Sequence, residues 1–334
     1  FDLPDHLIAP EPAPRRTDAR LLVVDRANGT WTHRRIGDLP DFGRPGDLWL
    51  LNDSRVIPAR LLDHGAGVEA LLLEETSPLH WRCLTNPSRK TKPDTRLAFA
   101  PRDPARPTLP ATVLKTLPSG ERILRFHAEF SLNDYGLMPV PPYILKRRKA
   151  GAGPSEPDAM DRERYQTTFA ATDGSVAAPT AGLHFTPELL SLLPHAFITL
   201  HVGIGTFRPI TTERIEDHVM HGERFWLPES TAAAAAAATR RIAVGTTVAR
   251  VLETVKSLRP HGGQTHIFIQ PPYRFRHCDA LMTNFHLPRS TLLVLVAAFL
   301  GDRGPDLPPR PPGDAIGLLH DIYADAIRDR KSVV

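Results

Sequence analysis

Residues 62–126 of this chain show no helical period, although helices and strands alternate in the sequence that follows. Within that stretch, residues 68–73, 81–85, 96–100, 111–117 and 122–126 are strand-like runs separated by turn residues. Short strands at such spacing, with no helix between them, predict a small barrel or sandwich. Before it, residues 21–25, 47–51 and 56–61 are strand-like, rich in Val, Ile or Leu and bounded by Gly, Pro or Asp. Residues 146–158 run from Lys146-Arg147-Arg148-Lys149 into Gly, Ala, Pro and Glu, and read as a linker or mobile loop. After them the pattern changes. Residues 187–193, 228–238, 246–256 and 290–300 read as helices; 197–202, 242–244 and 265–269 read as strands. Thr246 can cap the third of these helices, and Ser290 or Thr291 opens the fourth before Gly301. Alternating β and α elements predict an α/β (α+β) main domain, here interrupted by an inserted all-β barrel domain. The expected boundaries are 1–61 with 152–328 for the discontinuous α/β unit and 62–151 for the insertion and its linker.

Size agrees with two units, since 334 residues exceed one ordinary core. The longest apolar run, residues 292–300, falls far short of the ~20 residues a membrane helix needs, so it reads as a buried helix. Cys83 and Cys278 are the only cysteines, too few for a disulfide framework or a cysteine zinc site, and a reducing cytoplasm fits them best. The net charge of +4 permits RNA binding without demonstrating it.

Four segments hold more small, polar and titratable residues than core packing requires. In Leu51-Asn52-Asp53-Ser54-Arg55-Val56-Ile57-Pro58-Ala59-Arg60, polar residues end a strand and two arginines follow that can hold a carboxylate or phosphate; a turn with an ion pair explains them equally well. In Gly174-Ser175-Val176-Ala177-Ala178-Pro179-Thr180-Ala181-Gly182-Leu183-His184-Phe185-Thr186, small residues admit close backbone approach and His184 can exchange a proton near neutral pH. A hydrogen-bonded core histidine is the plainer alternative for His184. Thr186 and Pro187 look like an N-cap and a first helical residue. The third segment joins Leu200-His201-Val202-Gly203-Ile204-Gly205-Thr206-Phe207 to His218-Val219-Met220-His221-Gly222-Glu223. Its lone Gly-x-Gly is not a full dinucleotide loop, and its histidines match no helical zinc spacing, so no metal is expected. The fourth pairs Ala243-Val244-Gly245-Thr246-Thr247 with Thr283-Asn284-Phe285-His286-Leu287-Pro288-Arg289-Ser290-Thr291, two strand ends that turn into helices. Ligands of open α/β sheets gather at the carboxyl ends of strands, which predicts a shared crevice. Two routine helix caps are the alternative, but Asn284 and His286 exceed what capping needs.

Taken together these strings resemble the S-adenosylmethionine:tRNA ribosyltransferase-isomerase family of queuosine biosynthesis. The likeness extends to Phe1-Asp2-Leu3-Pro4, Pro45-Gly46-Asp47, Pro141-Pro142-Tyr143-Ile144 and Arg164-Tyr165-Gln166-Thr167, in the family's order from Phe1 to about Ile327. It implies an α/β domain with an inserted β-barrel. It implies transfer and isomerisation of the ribosyl part of S-adenosylmethionine onto 7-aminomethyl-7-deazaguanine at the wobble position of tRNA with a GUN anticodon. Epoxyqueuosine-tRNA, adenine and methionine are the implied products, and S-adenosylmethionine is consumed as ribosyl donor. A monomer is expected. Such chemistry needs a base beside the sulfonium, an acid or donor for departing adenine, and a base that keeps the attacking amine neutral. The candidates are His184, His286 and Glu223, with Asp53 as a fourth. Gly182, Gly203, Gly205, Gly245, Thr246 and Thr247 are expected to line the cofactor pocket. Asn52, Arg55, Arg60, Thr180, Phe185, His201, Thr206, His221, Asn284, Ser290 and Thr291 complete the expected binding residues. Arg55, Arg60 and the basic run from Lys146 to Lys149 can meet tRNA phosphates. The chain departs from the family pattern at Ser54 (threonine), at Gly222 (serine), at Val248-Ala249 (Ser-Val) and at Gln270-Pro271-Pro272-Tyr273 (a Pro-Gly-Tyr turn). The family opens a few residues before Phe1 and continues past the helix near Ile327 into an aromatic segment, so residues 329–334 read as a non-native tail. Two rivals remain: a methyltransferase using the same cofactor, against which the missing glycine-rich Rossmann loop counts, and a non-catalytic RNA-binding module.

Overall fold

The computed structural model describes residues 1–152, 157–203, 205 and 210–329. In chain order the strands are β1 (Arg20–Asp25), β2 (Thr30–Arg35), β3 (Asp47–Asn52), β4 (Ser54–Val56), β5 (Arg60–Asp63), β6 (Val68–Ser77), β7 (His80–Asn86), β8 (Arg96–Phe99), β9 (Leu109–Thr116), β10 (Arg122–Phe126), β11 (Thr172–Ser175), β12 (His195–Leu200), β13 (Glu223–Leu227), β14 (Arg240–Val244), β15 (His261–Thr265) and β16 (Ala280–Met282). The helices are α1 (Leu132–Tyr135), α2 (Pro142–Arg147), α3 (Pro157–Arg164), α4 (Pro187–Ser191), α5 (Glu229–Ala237), α6 (Thr246–Thr254), α7 (Thr291–Gly301) and α8 (Pro312–Arg328).

β3 organises the larger sheet. All six of its residues, Asp-Leu-Trp-Leu-Leu-Asn, are buried, the pattern of a strand covered on both faces. Leu48 and Leu50 pack one way, with Ile198, Leu200, Phe225, Val248 and Leu252. Trp49 and Leu51 pack the other way, with Phe185, Leu189, Ile242 and Val244. The sheet order is β15-β13-β12-β3-β14-β16, and β12, β3, β14 and β16 run parallel. The second six-stranded sheet, β5-β6-β7-β10-β9-β8, is antiparallel throughout. Its outer strands meet where Ala100 N donates to Leu62 O at 2.8 Å, which nearly closes a barrel. Leu61, Leu72, Phe99, Leu109, Leu124 and Phe126 fill its interior. The expected mixed fold with a barrel-like sheet is therefore present. Among the described residues no helix is long and apolar enough to cross a membrane.

Four local expectations need correction. Residues 56–61 are not one strand. Pro58 carries no N–H, so β4 ends at Val56 to pair in parallel with β11, and β5 starts anew in the barrel. Residues 265–269 are not one strand: β15 ends at Thr265, and 266–269 leave the ladder. Thr265 Oγ1 bonds Thr254 Oγ1 at 2.6 Å and accepts from Ile267 N at 3.3 Å, drawing the chain off the ladder. Thr246 does not cap α6, whose N-cap is Gly245 at φ +98° with no side-chain cap. The basic run is not an open linker either. Lys146 and Arg147 close α2, and Arg148 forms two bonds to Asp161 of α3 at 2.7 and 2.8 Å. The expected caps of α4 and α7 are present: Thr186 accepts from Leu189 N and Ser290 from Leu293 N, both at 3.2 Å. Residues 153–156 of the expected linker and 330–334 of the expected tail lie outside the described residues.

Candidate functional site

Because β12, β3, β14 and β16 run parallel, their carboxyl ends share one edge. His201 follows β12, Asp53 follows β3, Gly245 follows β14 and Thr283 follows β16. Gly245 N donates to Met282 O at 2.7 Å, so the two turns predicted to share a crevice lie side by side. β13 runs antiparallel to β12 and starts at this edge; His201 N donates to Arg224 O at 2.9 Å, which puts Glu223 there too. The short 3-10 turn Thr180–His184 comes against the same edge. A Cβ on Gly245 would sit 3.7 Å from Ala181, and His184 Nε2 lies 3.2 Å from Asn284 Oδ1.

Burial sets the protonation of this edge. Three histidines are held below the ordinary imidazole range, in each case chiefly by desolvation of the cation. For His184 the nearby Arg16 lowers it further while the Asn284 bond opposes. For His201, Arg224 lowers and Asp53 raises. His286 is pushed down to about 4; its Nε2 lies 3.0 Å from Thr283 Oγ1, and its backbone N donates to Tyr323 OH at 2.9 Å. Asp53 moves the other way. Burial raises it, against a 2.6 Å bond from Thr199 Oγ1 and the attraction of His201. His201 Nδ1 has no hydrogen-bond partner and rests against Gly174, where a Cβ would come within 2.8 Å of it. At neutral pH the edge thus presents uncharged imidazoles beside a carboxylate with raised proton affinity.

The other expected residues fall into distinct places. Asn52 is buried and joins β3 to β12: Nδ2 donates to Leu200 O at 2.9 Å, and Oδ1 accepts from Leu200 N and Ser54 N at 3.0 and 3.1 Å. Arg55 is exposed and donates to Ala170 O at 2.8 Å. Arg60 lies in the barrel sheet, its Nε 3.0 Å from Glu69 of β6, so its ion pair serves that sheet. Phe185 has no exposed surface and packs 6.4 Å from Trp49, because the sheet face needs its bulk. Thr180 begins the 3-10 turn, and a Cβ on Gly182 would meet Phe169 and Thr167 at 3.0 Å. Gly203 N donates to Glu223 Oε1 at 2.9 Å, and a Cβ on Gly205 would be 3.1 Å from His221. Thr206 lies outside the described residues. Ser290 is occupied as the cap of α7, whereas the buried hydroxyls of Thr247 and Thr291 have no partner. No group of three or more His, Cys, Asp or Glu is placed to hold a metal among the described residues.

Two features escaped the sequence reading. Arg250, fully buried on α6, binds Glu223 Oε2 through Nη1. A lone arginine within Val248-Ala249-Arg250-Val251-Leu252 was the available signal. A cavity of about 1100 Å³ also opens beside the site, walled by His184, Thr283, Asn284, Arg16, Arg240 and Tyr323. It lies under β1, an element whose packing the sequence did not disclose.

Comparison with known proteins supplies the context. The family model described as queuosine biosynthesis protein matches residues 1–304. A Thermus thermophilus protein named S-adenosylmethionine:tRNA ribosyltransferase-isomerase is 47% identical over 323 residues, covering 90% of each chain. One of the same name from Rhodospirillum rubrum is 46% identical over 324 residues, covering 90% of this chain and 88% of the relative. The crystal structure of a Thermotoga maritima S-adenosylmethionine tRNA ribosyltransferase is 31% identical, covers 100% of this chain and 95% of that one, and superposes with a TM-score of 0.51.

Proposed function

The chain belongs to the queuosine biosynthesis protein family, and we propose that it transfers the ribosyl moiety of S-adenosylmethionine to 7-aminomethyl-7-deazaguanine at the wobble position of tRNA with a GUN anticodon. The ribosyl group is isomerised in the process, epoxyqueuosine-tRNA forms, and adenine and methionine leave. The observation that carries this reading is the set of uncharged histidines with Asp53 at the carboxyl edge of the parallel strands. The donor is a sulfonium cation. Neutral imidazoles do not repel it and can take a proton from the carbon that the sulfonium acidifies. A carboxyl that burial has raised, such as Asp53, holds a proton more readily than an ordinary carboxylate and can take or return one. His184 and His286 are the proposed proton carriers together with Asp53. Glu223, clamped by Arg250 and Gly203, serves in this reading to hold the site's shape more than to shuttle protons. Gly203, Gly205, Gly245, Thr246 and Thr247 line the donor's pocket. Exposed cations such as Arg55 and Lys146 face tRNA phosphates. The same reading divides the chain into a discontinuous α/β unit, 1–61 with 152–328, and an inserted barrel unit, 62–151.

Incubation with S-adenosylmethionine and tRNA bearing the aminomethyl-deazaguanine tests this. Free adenine together with a heavier wobble nucleoside by mass spectrometry is expected. S-adenosylhomocysteine with a methylated nucleoside would replace it with the methyltransferase reading. Retention of tRNA with neither product would replace it with the RNA-binding reading.

A further inference from the structure

Arg250 is 3% exposed and uses only part of its donor set. Nη1 is committed to Glu223, whose other oxygen accepts from Gly203 N at 2.9 Å. Nε and Nη2 are buried and have no hydrogen-bond partner. In a guanidinium these two nitrogens share one edge, and their parallel N–H bonds match the two oxygens of a single carboxylate. A buried charged donor left unpaired is costly, so an open fork of this kind calls for an acceptor.

The surroundings point the same way. Arg250 follows Thr246 by four residues and Thr247 by three, so all three lie on one face of α6. Helical side chains lean towards the N-terminus, which carries the guanidinium towards the first turn of α6. That turn is open: its N-cap is Gly245 and no side chain caps it. The Thr247 hydroxyl, also buried, lacks a partner. The helix has nine residues, and its first N–H groups and dipole favour an anion. Glu223 holds Arg250 through Nη1 alone, and the Nε–Nη2 edge is the part of the guanidinium that the ion pair leaves unused.

We infer that the Nε–Nη2 edge of Arg250, with the Thr247 hydroxyl and the first turn of α6, binds the α-carboxylate of the methionyl part of S-adenosylmethionine. This rests on the ribosyl-donor reading above and names the group that anchors the donor. A flat carboxylate fills a single side-on fork, and a buried site one guanidinium wide suits it better than a tRNA phosphate. Held there by its far end, the methionyl group leaves the sulfonium and ribose free to meet the histidines at the neighbouring strand ends.

The test is calorimetric and needs neither tRNA nor turnover. The intact protein is titrated with S-adenosylmethionine and with its decarboxylated analogue, which keeps the sulfonium and the adenosyl group. Loss of a charge-assisted fork should weaken the analogue by about ten- to a hundredfold. In Arg250→Lys the Glu223 pair is kept and the fork is lost. S-adenosylmethionine should then bind as weakly as the analogue, and the analogue itself should be unaffected. Equal binding of both ligands by the native protein overturns the inference while leaving the donor reading intact, and needs no variant to fold. Equal weakening of both ligands in Arg250→Lys also overturns it, since that marks a structural residue. Native protein that binds neither ligand overturns the donor reading and the inference together.

Discussion

Replacing Asn52 by leucine separates a ligand-binding role from a structural one. Asn52 is 2% exposed and pairs with Ile198 across the β3–β12 register. Its amide makes three bonds to backbone groups, at 2.9, 3.0 and 3.1 Å. Leucine matches its size but leaves Leu200 O, Leu200 N and Ser54 N without partners. A buried polar group so stranded costs about 1–3 kcal/mol, hence about 3–9 kcal/mol for three. The added apolar burial returns about 1–2 kcal/mol. Partial relaxation at the strand end favours the low side, and a net loss of about 4 kcal/mol is expected. That is a large fraction of a typical stability of about 5–15 kcal/mol. Asn52→Asp keeps both acceptor bonds but sets a buried carboxyl oxygen against Leu200 O, so it should also destabilise, and more so as pH rises and the carboxyl ionises. Equilibrium urea unfolding measures both, read from the midpoint at constant slope. A loss under about 1 kcal/mol for Asn52→Leu, accompanied by weakened S-adenosylmethionine binding, would refute the structural assignment.

Other outcomes follow from the same geometry. His286 has an unfolded value of 6.5 and is pushed down to about 4 in the fold. Its depressed value means the unfolded chain takes up a proton that the folded chain refuses. Stability is therefore lost as pH falls from 6.5 towards 4, by up to about 3 kcal/mol. His286→Gln should flatten that part of the urea-midpoint profile, and an unchanged profile would contradict the burial argument. Asp53→Asn can still accept from Thr199 but can no longer carry a proton, so kcat should fall by about a hundredfold or more with little change in unfolding midpoint; a native kcat removes Asp53 from the chemistry. His184→Ala should abolish adenine release while near-ultraviolet circular dichroism stays native, and near-normal rates would sink that assignment. Gly174 has φ +135° and faces the His201 ring, so Gly174→Ala should cost about 1–3 kcal/mol and displace the imidazole. A fully native urea midpoint would show that the ring is not packed as described.

Features expressed as runs and periods were legible in the sequence. The apolar run of β3 reads directly as a strand, and the helix-free spacing of residues 68–126 as a barrel-like sheet; that β3 is buried on both faces at the centre of its sheet emerges only in the fold. The caps of α4 and α7 were legible because Thr186 and Ser290 bond groups three residues away. What failed depended on distant partners. Residues 146–149 have the composition of a solvated loop, yet Arg148 is claimed by Asp161, thirteen residues further on. Thr265 begins a plausible strand, but its hydroxyl meets Thr254 on a helix and bends the chain away. Gly245 replaced Thr246 as the cap of α6 because the link to Met282 fixes the turn one residue earlier.

The site was legible as a list of residues but not as a division of labour, for a countable physical reason. A polar side chain at a strand end serves the fold when its donors and acceptors are matched within the protein, and is open to a ligand when they are not. Asn52 and Ser290 are polar residues of the first kind: their groups are bonded to Leu200 and Leu293. His201, Thr247, Thr291 and Arg250 are of the second, each with a buried polar atom lacking a partner. Sequence reports which groups a residue carries but not how many of them the fold consumes. Arg250 shows the consequence most sharply. Read as text it is one charge in an apolar helix, which favours an internal ion pair. In the fold that ion pair exists and accounts for one nitrogen, and the remaining edge of the guanidinium is what a carboxylate would need.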